Sequence, residues 1–262
     1  MVVRCAVVVV MCGCAREREA APEDLDGLTR YLYQNWEDEE LVGDAMENLG
    51  PWLRQTGTTE EAWEGYTLAP LTDEVVLDVG VPPGAVLAEA IGVALAGPSP
   101  YPVDDHAALL VLEDQTWNEP DSYTVYTREI TEGDVGAFID GEGLVRTVNT
   151  VDKSGSFGVN IAYTLHKDYR WATLDDGTRA VVGRSWVPDG GCSENGKNCV
   201  VQSYSIDLFY GPDATSTIRL MAGWNEITTE VDGLVGEDLL IAMMVSGNQD
   251  IYAATDAYLE AR

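Results

Sequence analysis

Between Ser156 and Leu165 the chain alternates without a break. Phe157, Val159, Ile161, Tyr163 and Leu165 take one side, and Ser156, Gly158, Asn160, Ala162 and Thr164 take the other. A period of two belongs to an extended strand, and an apolar side of that length has to be buried against something. The same period runs through most of the chain from Ala107 onward. It predicts strands over Ala107 to Glu113, Tyr123 to Ile130, Leu144 to Val151, Phe157 to Thr173, Arg179 to Val187, Cys199 to Tyr210 and Thr217 to Ile227. Asp175-Asp176-Gly177 is a tight-turn signal between two of them. Successive strands joined by short turns form an antiparallel meander.

Before this block the periodicity is helical. Pro22-Glu23-Asp24 opens a helix with Leu25, Leu28 and Leu32 on one face, and Leu41, Val42, Ala45, Met46 and Leu49 form a second, which Gly50-Pro51 should end. Trp36, Trp52 and Trp63 fit the inner face of such packed helices. Glu74 to Val81 reads as a strand and Ala85 to Leu95 as a short helix, apolar nearly all round and so buried. At the other end, Leu240, Met244, Gly247, Ile251, Ala254 and Tyr258 form one stripe of a helix over Glu237 to Arg262, which Ser246-Gly247-Asn248 could divide in two. The fold class is α+β: an antiparallel meander with N-terminal helices and a long C-terminal helix.

The first fourteen residues stand apart. Arg4 precedes a nine-residue apolar run, Cys5 to Gly13, after which the chain turns abruptly charged. Nine residues are too few for a bilayer, whose core takes about 20, and the pattern is that of an export signal. Met11-Cys12-Gly13-Cys14 resembles the lipobox of bacterial lipoproteins, in which the cysteine is acylated and becomes the first mature residue. The resemblance implies a lipid on Cys14, a membrane partner held through it, and an exported protein at the cell membrane or outer membrane. Ala15, where an aspartate retains some lipoproteins at the inner membrane, leans towards the outer one. Ordinary cleavage, or an apolar N-terminal strand, are the alternatives. The chain then divides into a leader over 1–13, a tether over 14–22 and one α+β domain over 23–262, helical to residue 69 and sheet plus terminal helix from 70.

Forty-five acidic residues against fifteen basic ones leave a formal charge of −30. Such a surface repels phosphate backbones, so nucleic acid is excluded as a partner. The acids are scattered along the chain, as on a solvated surface. With Cys5 and Cys12 in the leader and Cys14 on the lipid, Cys192 and Cys199 remain. They flank Ser193-Glu194-Asn195-Gly196-Lys197-Asn198, and Asn-Gly is a hairpin signal. In an oxidising compartment the pair should close as a disulfide.

Two stretches, Val75-Val76-Leu77-Asp78-Val79-Gly80-Val81-Pro82-Pro83-Gly84-Ala85-Val86-Leu87 and Trp224-Asn225-Glu226-Ile227 followed by Gly233-Leu234-Val235-Gly236-Glu237-Asp238-Leu239-Leu240, resemble the opening strand with its first helix and the last strand with its closing helix in the helix-grip fold of START-like and polyketide-cyclase-like domains. The resemblance implies an apolar cavity between sheet and helix and a hydrophobic small molecule in it. No site residue follows from it.

Motifs for catalysis are missing. No G-x-S-x-G, HExxH, phosphate loop, dinucleotide fingerprint or calcium loop occurs, so no catalytic residue, metal or cofactor is assigned. The densest mix of polar and aromatic groups is His166, Asp168, Tyr169, Arg170, Trp171, Arg184 and Trp186, which could line a pocket mouth or form a cross-strand network on one sheet face. The function expected is a membrane-anchored, non-enzymatic binder of an apolar ligand. The alternatives are a structural or partner-binding envelope protein, and a hydrolase built on His166 and Asp168. Oligomeric state is left open by the sequence.

Overall fold

The computed structural model describes residues 20–119, 122–155, 159–228 and 236–262. Three helices come first: α1 (Leu25–Gln34), α2 (Glu39–Gln55) and α3 (Glu60–Glu64). Each starts on a side-chain cap that takes up a free backbone donor. Asp24 accepts from Gly27 N at 2.8 Å, Asp38 from Glu40 N and Leu41 N, and Thr59 from Ala62 N. Pro51 does not end α2, which runs on to Gln55. Leu49, Gly50 and Leu53 are buried, and Gly50 lies so close to Leu174 and Tyr210 that a Cβ would meet Leu174 at 3.1 Å. Packing on the sheet carries the last turn past the proline.

Strands β1 (Tyr66–Leu68) and β2 (Ile91–Ser99) follow, then α4 (Val103–Leu110), β3 (Tyr123–Gly133), α5 (Val135–Ile139), β4 (Leu144–Gly155), β5 (Val159–Thr173), β6 (Arg179–Trp186), β7 (Gly191–Cys192), β8 (Cys199–Gly211), β9 (Thr217–Thr228) and α6 (Glu237–Glu260). Among the described residues nine strands form one antiparallel sheet in the order β1-β2-β9-β8-β6-β5-β4-β3, with β7 beside β8. Cys192 and Cys199 are opposite each other in that last pairing and are bonded. Gly177 and Gly196 take positive φ, 83° and 69°, in their two turns, which glycine adopts without steric cost.

Three expected elements differ. Residues 73–79, which take up most of the expected strand Glu74 to Val81, form successive turns, with Val75 N and Val76 N both on Thr72 O. Ala85 to Leu95 is no helix: a 3₁₀ turn over Leu87–Glu89 leads into β2. A strand covered on both faces is as continuously apolar as a buried helix, so periodicity cannot separate them. Ala107 to Glu113 is mostly the end of α4, where Ala107 and Leu110 share one buried face. Helix α6 is continuous through Gly247. Phe157 and the 233–235 part of the closing stretch lie outside the described residues, as does Cys14.

The pleat sorts the sheet into two faces. Helices α1 and α2 cover one, packing Leu28, Leu32, Tyr33, Trp36, Met46 and Leu49 on Val182, Tyr204, Ile206, Leu208, Leu220 and Trp224. On the other, α4 and α5 set Val103, Ala107, Leu110 and Phe138 against Val145, Tyr169, Trp171 and Val181. Helix α6 crosses this second face at the β2 edge. Its Asp256 binds Arg219 at 2.9 and 3.0 Å and accepts from Ser99, while Gln249 reaches Trp63 O.

Candidate functional site

Alternation divides the seven polar and aromatic residues singled out in the sequence. Asp168 pairs in register with Arg184, His166 with Trp186 and Arg170 with Val182, which places His166, Asp168, Arg170, Arg184 and Trp186 on the face under α1 and α2. Tyr169 and Trp171, one residue out of phase, stand on the other face.

The first group forms a clasp. Arg184, 2% exposed, binds Asp168 at 3.2 Å, Glu37 at 3.0 Å and Asp78 at 2.5 Å. Arg146 joins the same two carboxylates, Glu37 and Asp168, at 2.7 and 2.8 Å. Trp36 lies against three guanidiniums, those of Arg146, Arg170 and Arg184, at 5.3, 5.2 and 4.9 Å from its ring, and its carbonyl accepts from Arg170. Tyr33 and Trp36 donate to the backbone oxygens of Ser185 and Val182. Burial pushes the Asp168 carboxyl above its ordinary range against the pull of both arginines, whereas its hydrogen bond to Arg146 holds Glu37 below. These groups are spent on holding the N-terminal helices to the sheet.

Neither histidine is placed as a base. His166 stacks on Trp186 at 5.0 Å, and among the described residues no hydrogen bond joins it to Asp168. His106 Nε2 lies 3.0 Å from Ser99 Oγ, but Ser99 gives its proton to Asp256 at 2.6 Å. The ring nitrogen must therefore be the donor, and a nitrogen that donates to a hydroxyl cannot take its proton. Among the described residues no group of three His, Cys, Asp or Glu side chains could hold a metal ion, and no helix is long and apolar enough to cross a membrane.

The face beneath α6 is different in kind. Ile161, Tyr163 and Leu165 stand half-buried along β5, and Met221 is half-buried on β9. The next residue in the β5 row is Lys167, whose Nζ lies 3.0 Å from Asp207 Oδ2. Burial works against this ammonium, yet the Asp207 carboxylate and the Tyr169 phenol outweigh it and raise its pKa, so it stays charged. Beside it, buried Arg128 donates to Asn149 Oδ1 at 2.7 Å, to Leu110 O, and to the hydroxyls of Tyr169 and Tyr126 at 3.3 and 3.5 Å. Gly183 sits opposite Tyr169, and a Cβ there would come within 2.9 Å of the phenol ring. The ring needs that space. From α6, buried Tyr252 brings a hydroxyl with no partner among the described residues. Of α6's 24 residues only Tyr252 and Thr255 are buried; Leu239 and Met243 stand exposed, and Leu240, Ile241, Met244 and Val245 are half-buried. A hollow of about 530 Å³ opens at the β3 end, lined by Val111, Arg128, Ile130 and Val148 among others. A second, of about 360 Å³, lies beside the disulfide hairpin on Asp152, Asn160 and Ala162, in the opposite row of β5 from Ile161 and Tyr163.

The Arg128, Tyr126, Asp207 and Tyr252 positions were not singled out in the sequence. One signal was present: Lys167, one of only three lysines, falls in the row Ile161, Tyr163, Leu165, Tyr169 and Trp171, where an apolar side chain belongs.

No family model matches this chain. No curated protein matches it either. Solved structures do, in layout. A STAR-related lipid transfer protein of Xanthomonas axonopodis is 14% identical over 69% of this chain and 90% of its own, with a TM-score of 0.45. A START superfamily protein of Mycobacterium smegmatis is 8% identical over 65% of this chain and 97% of its own, at 0.40. An aromatase/cyclase of Streptomyces sp. R1128 is 15% identical over 65% of this chain and 94% of its own, at 0.38. At these scores no residue of those proteins is carried over to this one.

Proposed function

We propose that this protein is a binding module, exported and held to a membrane by a lipid on Cys14, whose ligand lies between α6 and the second face of the sheet. The observation that carries the reading is the state of that face. Half-buried Ile161, Tyr163, Leu165 and Met221 adjoin buried polar groups, while Leu239 and Met243 in the first half of α6 stand in solvent. A face with an apolar stretch and a few converging polar groups is the usual make-up of a small-molecule site. The ligand is therefore amphipathic, with an apolar body along β5 and β9 and a polar end towards Lys167. This narrows the apolar ligand that the sequence suggests.

The test uses N-phenylnaphthylamine, a neutral fluorophore. It should bind once per protein, and Leu165→Trp, which fills the face, should abolish binding. Loss instead in Leu239→Ser/Met243→Ser with Leu165→Trp unchanged would move the apolar contact to the outside of α6 and favour the partner-binding reading. For the anchor, labelling with a palmitate analogue should vanish in Cys14→Ser; persistent labelling would refute it. The disulfide between Cys192 and Cys199 supports export, because such bonds persist in oxidising compartments.

A further inference from the structure

We infer that the polar end of this site is a seat for an anionic oxygen, a carboxylate or an ionised phenol or enol, made by Lys167, Tyr126 and Tyr169 and backed by Arg128. The inference rests on the binding reading above and adds the charge of the ligand to it.

The argument is one of unspent donors. Tyr126 and Tyr169 both accept from one nitrogen, Arg128 Nη2. A phenol whose lone pair faces a guanidinium turns its own proton away from it, and among the described residues neither proton has an acceptor. Lys167 carries three N–H bonds, and its one carboxylate contact is with Asp207 Oδ2. A further hydroxyl, that of Tyr252, is buried and unpartnered on the α6 side. Four groups thus hold donors to spare, and the nearby acceptors are each engaged by another donor: Asn149 Oδ1 and Leu110 O by Arg128, and Asp207 by Lys167. Buried donors without acceptors are costly, so a ligand that supplies an oxygen relieves them.

The charges point the same way. Arg30, Arg54, Arg146, Lys153, Arg170, Arg179, Arg184 and Arg219 each bind a carboxylate. Arg128, 5% exposed, has none among the described residues, although the chain carries three acids for every base. Of the two cations, Lys167 has one carboxylate, Asp207, and Arg128 has none among the described residues. The C-terminal carbonyl of α4 at Leu110 supplies a partial negative charge to Arg128, which leaves the site still net positive. A guanidinium acting through two phenols is a means of holding an oxygen anion without a full ion pair, because it polarises their O–H bonds towards the ligand.

The experiment compares naphthoate, ionised at neutral pH, with naphthamide, its neutral counterpart, by titration of the full-length protein without its lipid, the fold of each variant being checked by circular dichroism. Naphthoate should bind at least about ten-fold more tightly, since hydrogen bonds to a charged group are worth about 1.5–3 kcal/mol. Tyr126→Phe and Tyr169→Phe should each weaken naphthoate about ten-fold and leave naphthamide within about two-fold. The pair Lys167→Met/Asp207→Leu, which removes both charges together so that neither is left buried alone, should do the same. Equal binding of the two probes, or naphthoate affinity unmoved by both phenylalanine variants, overturns the anion seat while leaving the binding site under α6 in place. Failure of both naphthalenes and of the neutral fluorophore removes the two readings together.

Discussion

His106 gives the sharpest test of the packing around α6. It lies on α4, 1% exposed, with Ser99 on one side and Phe209 at 5.4 Å between ring centres on the other. Arg219, from β9, adds its positive charge nearby, and Asp256 of α6 is engaged by Arg219 and Ser99 instead of the imidazole. Burial first, and Arg219 second, push the imidazole down to about 3 from its ordinary 6.5. In the unfolded chain the same group takes up a proton near its ordinary value. Between the two the unfolded state binds more protons, so stability falls as pH falls, and none of this loss is felt well above 6.5. Linkage over that window gives about 2 kcal/mol less stability at about pH 5 than at pH 7 from this one side chain. Urea unfolding followed by tryptophan fluorescence at several pH values measures it, with His106→Gln as the reference, because glutamine can donate to Ser99 but does not titrate. The wild type should lose about 2 kcal/mol more than the variant on going from about pH 7 to pH 5. If the two stability curves run parallel, or if the wild type gains on the variant as the pH drops, the imidazole is charged in the folded protein and the described burial is wrong.

The clasp under α1 and α2 should behave as a buried ionic network: Arg184→Met is expected to destabilise by about 3–5 kcal/mol, because it leaves buried Asp168 on Arg146 alone, and Arg184→Met/Asp168→Leu to recover part of that. A double variant no more stable than the single one in urea unfolding would refute this. Reducing or replacing the Cys192–Cys199 bond should cost about 2–3 kcal/mol by the chain-entropy model for so short a ring, with wild type in reductant matching Cys192→Ser/Cys199→Ser in thermal unfolding; wild type that stays above the double variant in reductant would contradict it.

Strands β3, β4 and β5 were legible in the sequence because one side of each is largely polar or exposed, which leaves a clean period of two; β6, buried on both sides, was legible through the turn signal before it. Strand β2 was not, since Val93, Leu95, Ala94 and Ala96 are buried on opposite sides of the same strand and leave no alternation to read. Helix α4 was missed for a related reason: its apolar run of Ala107 to Leu110 is too short to distinguish one period from another. Pro51 misled because a local signal was overridden by the contacts of Gly50 and Leu53. At the site, alternation alone could separate Asp168 from Tyr169. It could not say which face lies under α1 and α2 and which under α6, because that depends on contacts more than 130 residues apart, such as Arg170 with the Trp36 carbonyl.

That assignment of faces determines where a ligand can go. The charged residues that draw the eye in the sequence, Asp168, Arg170 and Arg184, are closed in by Trp36, Glu37 and Tyr33 and bind only parts of the same chain. Helices α1 and α2 fill much of one face, and over the other the first turns of α6 leave Leu239 and Met243 exposed. A chain with a charge of −30 also has acids enough to neutralise every buried cation many times over. Leaving Arg128 on neutral oxygens is then a feature of where the acids are placed: its chain neighbour Glu129 is exposed on the opposite side of β3, and Glu113, whose backbone carbonyl accepts from the Arg128 N–H, forms no ion pair with it among the described residues. An uncompensated interior cation costs stability in the empty protein. Such a cost is reduced when an anion binds, which makes the polar row of Lys167, Tyr126 and Tyr169 intelligible as a site kept ready for one and hard to explain as core.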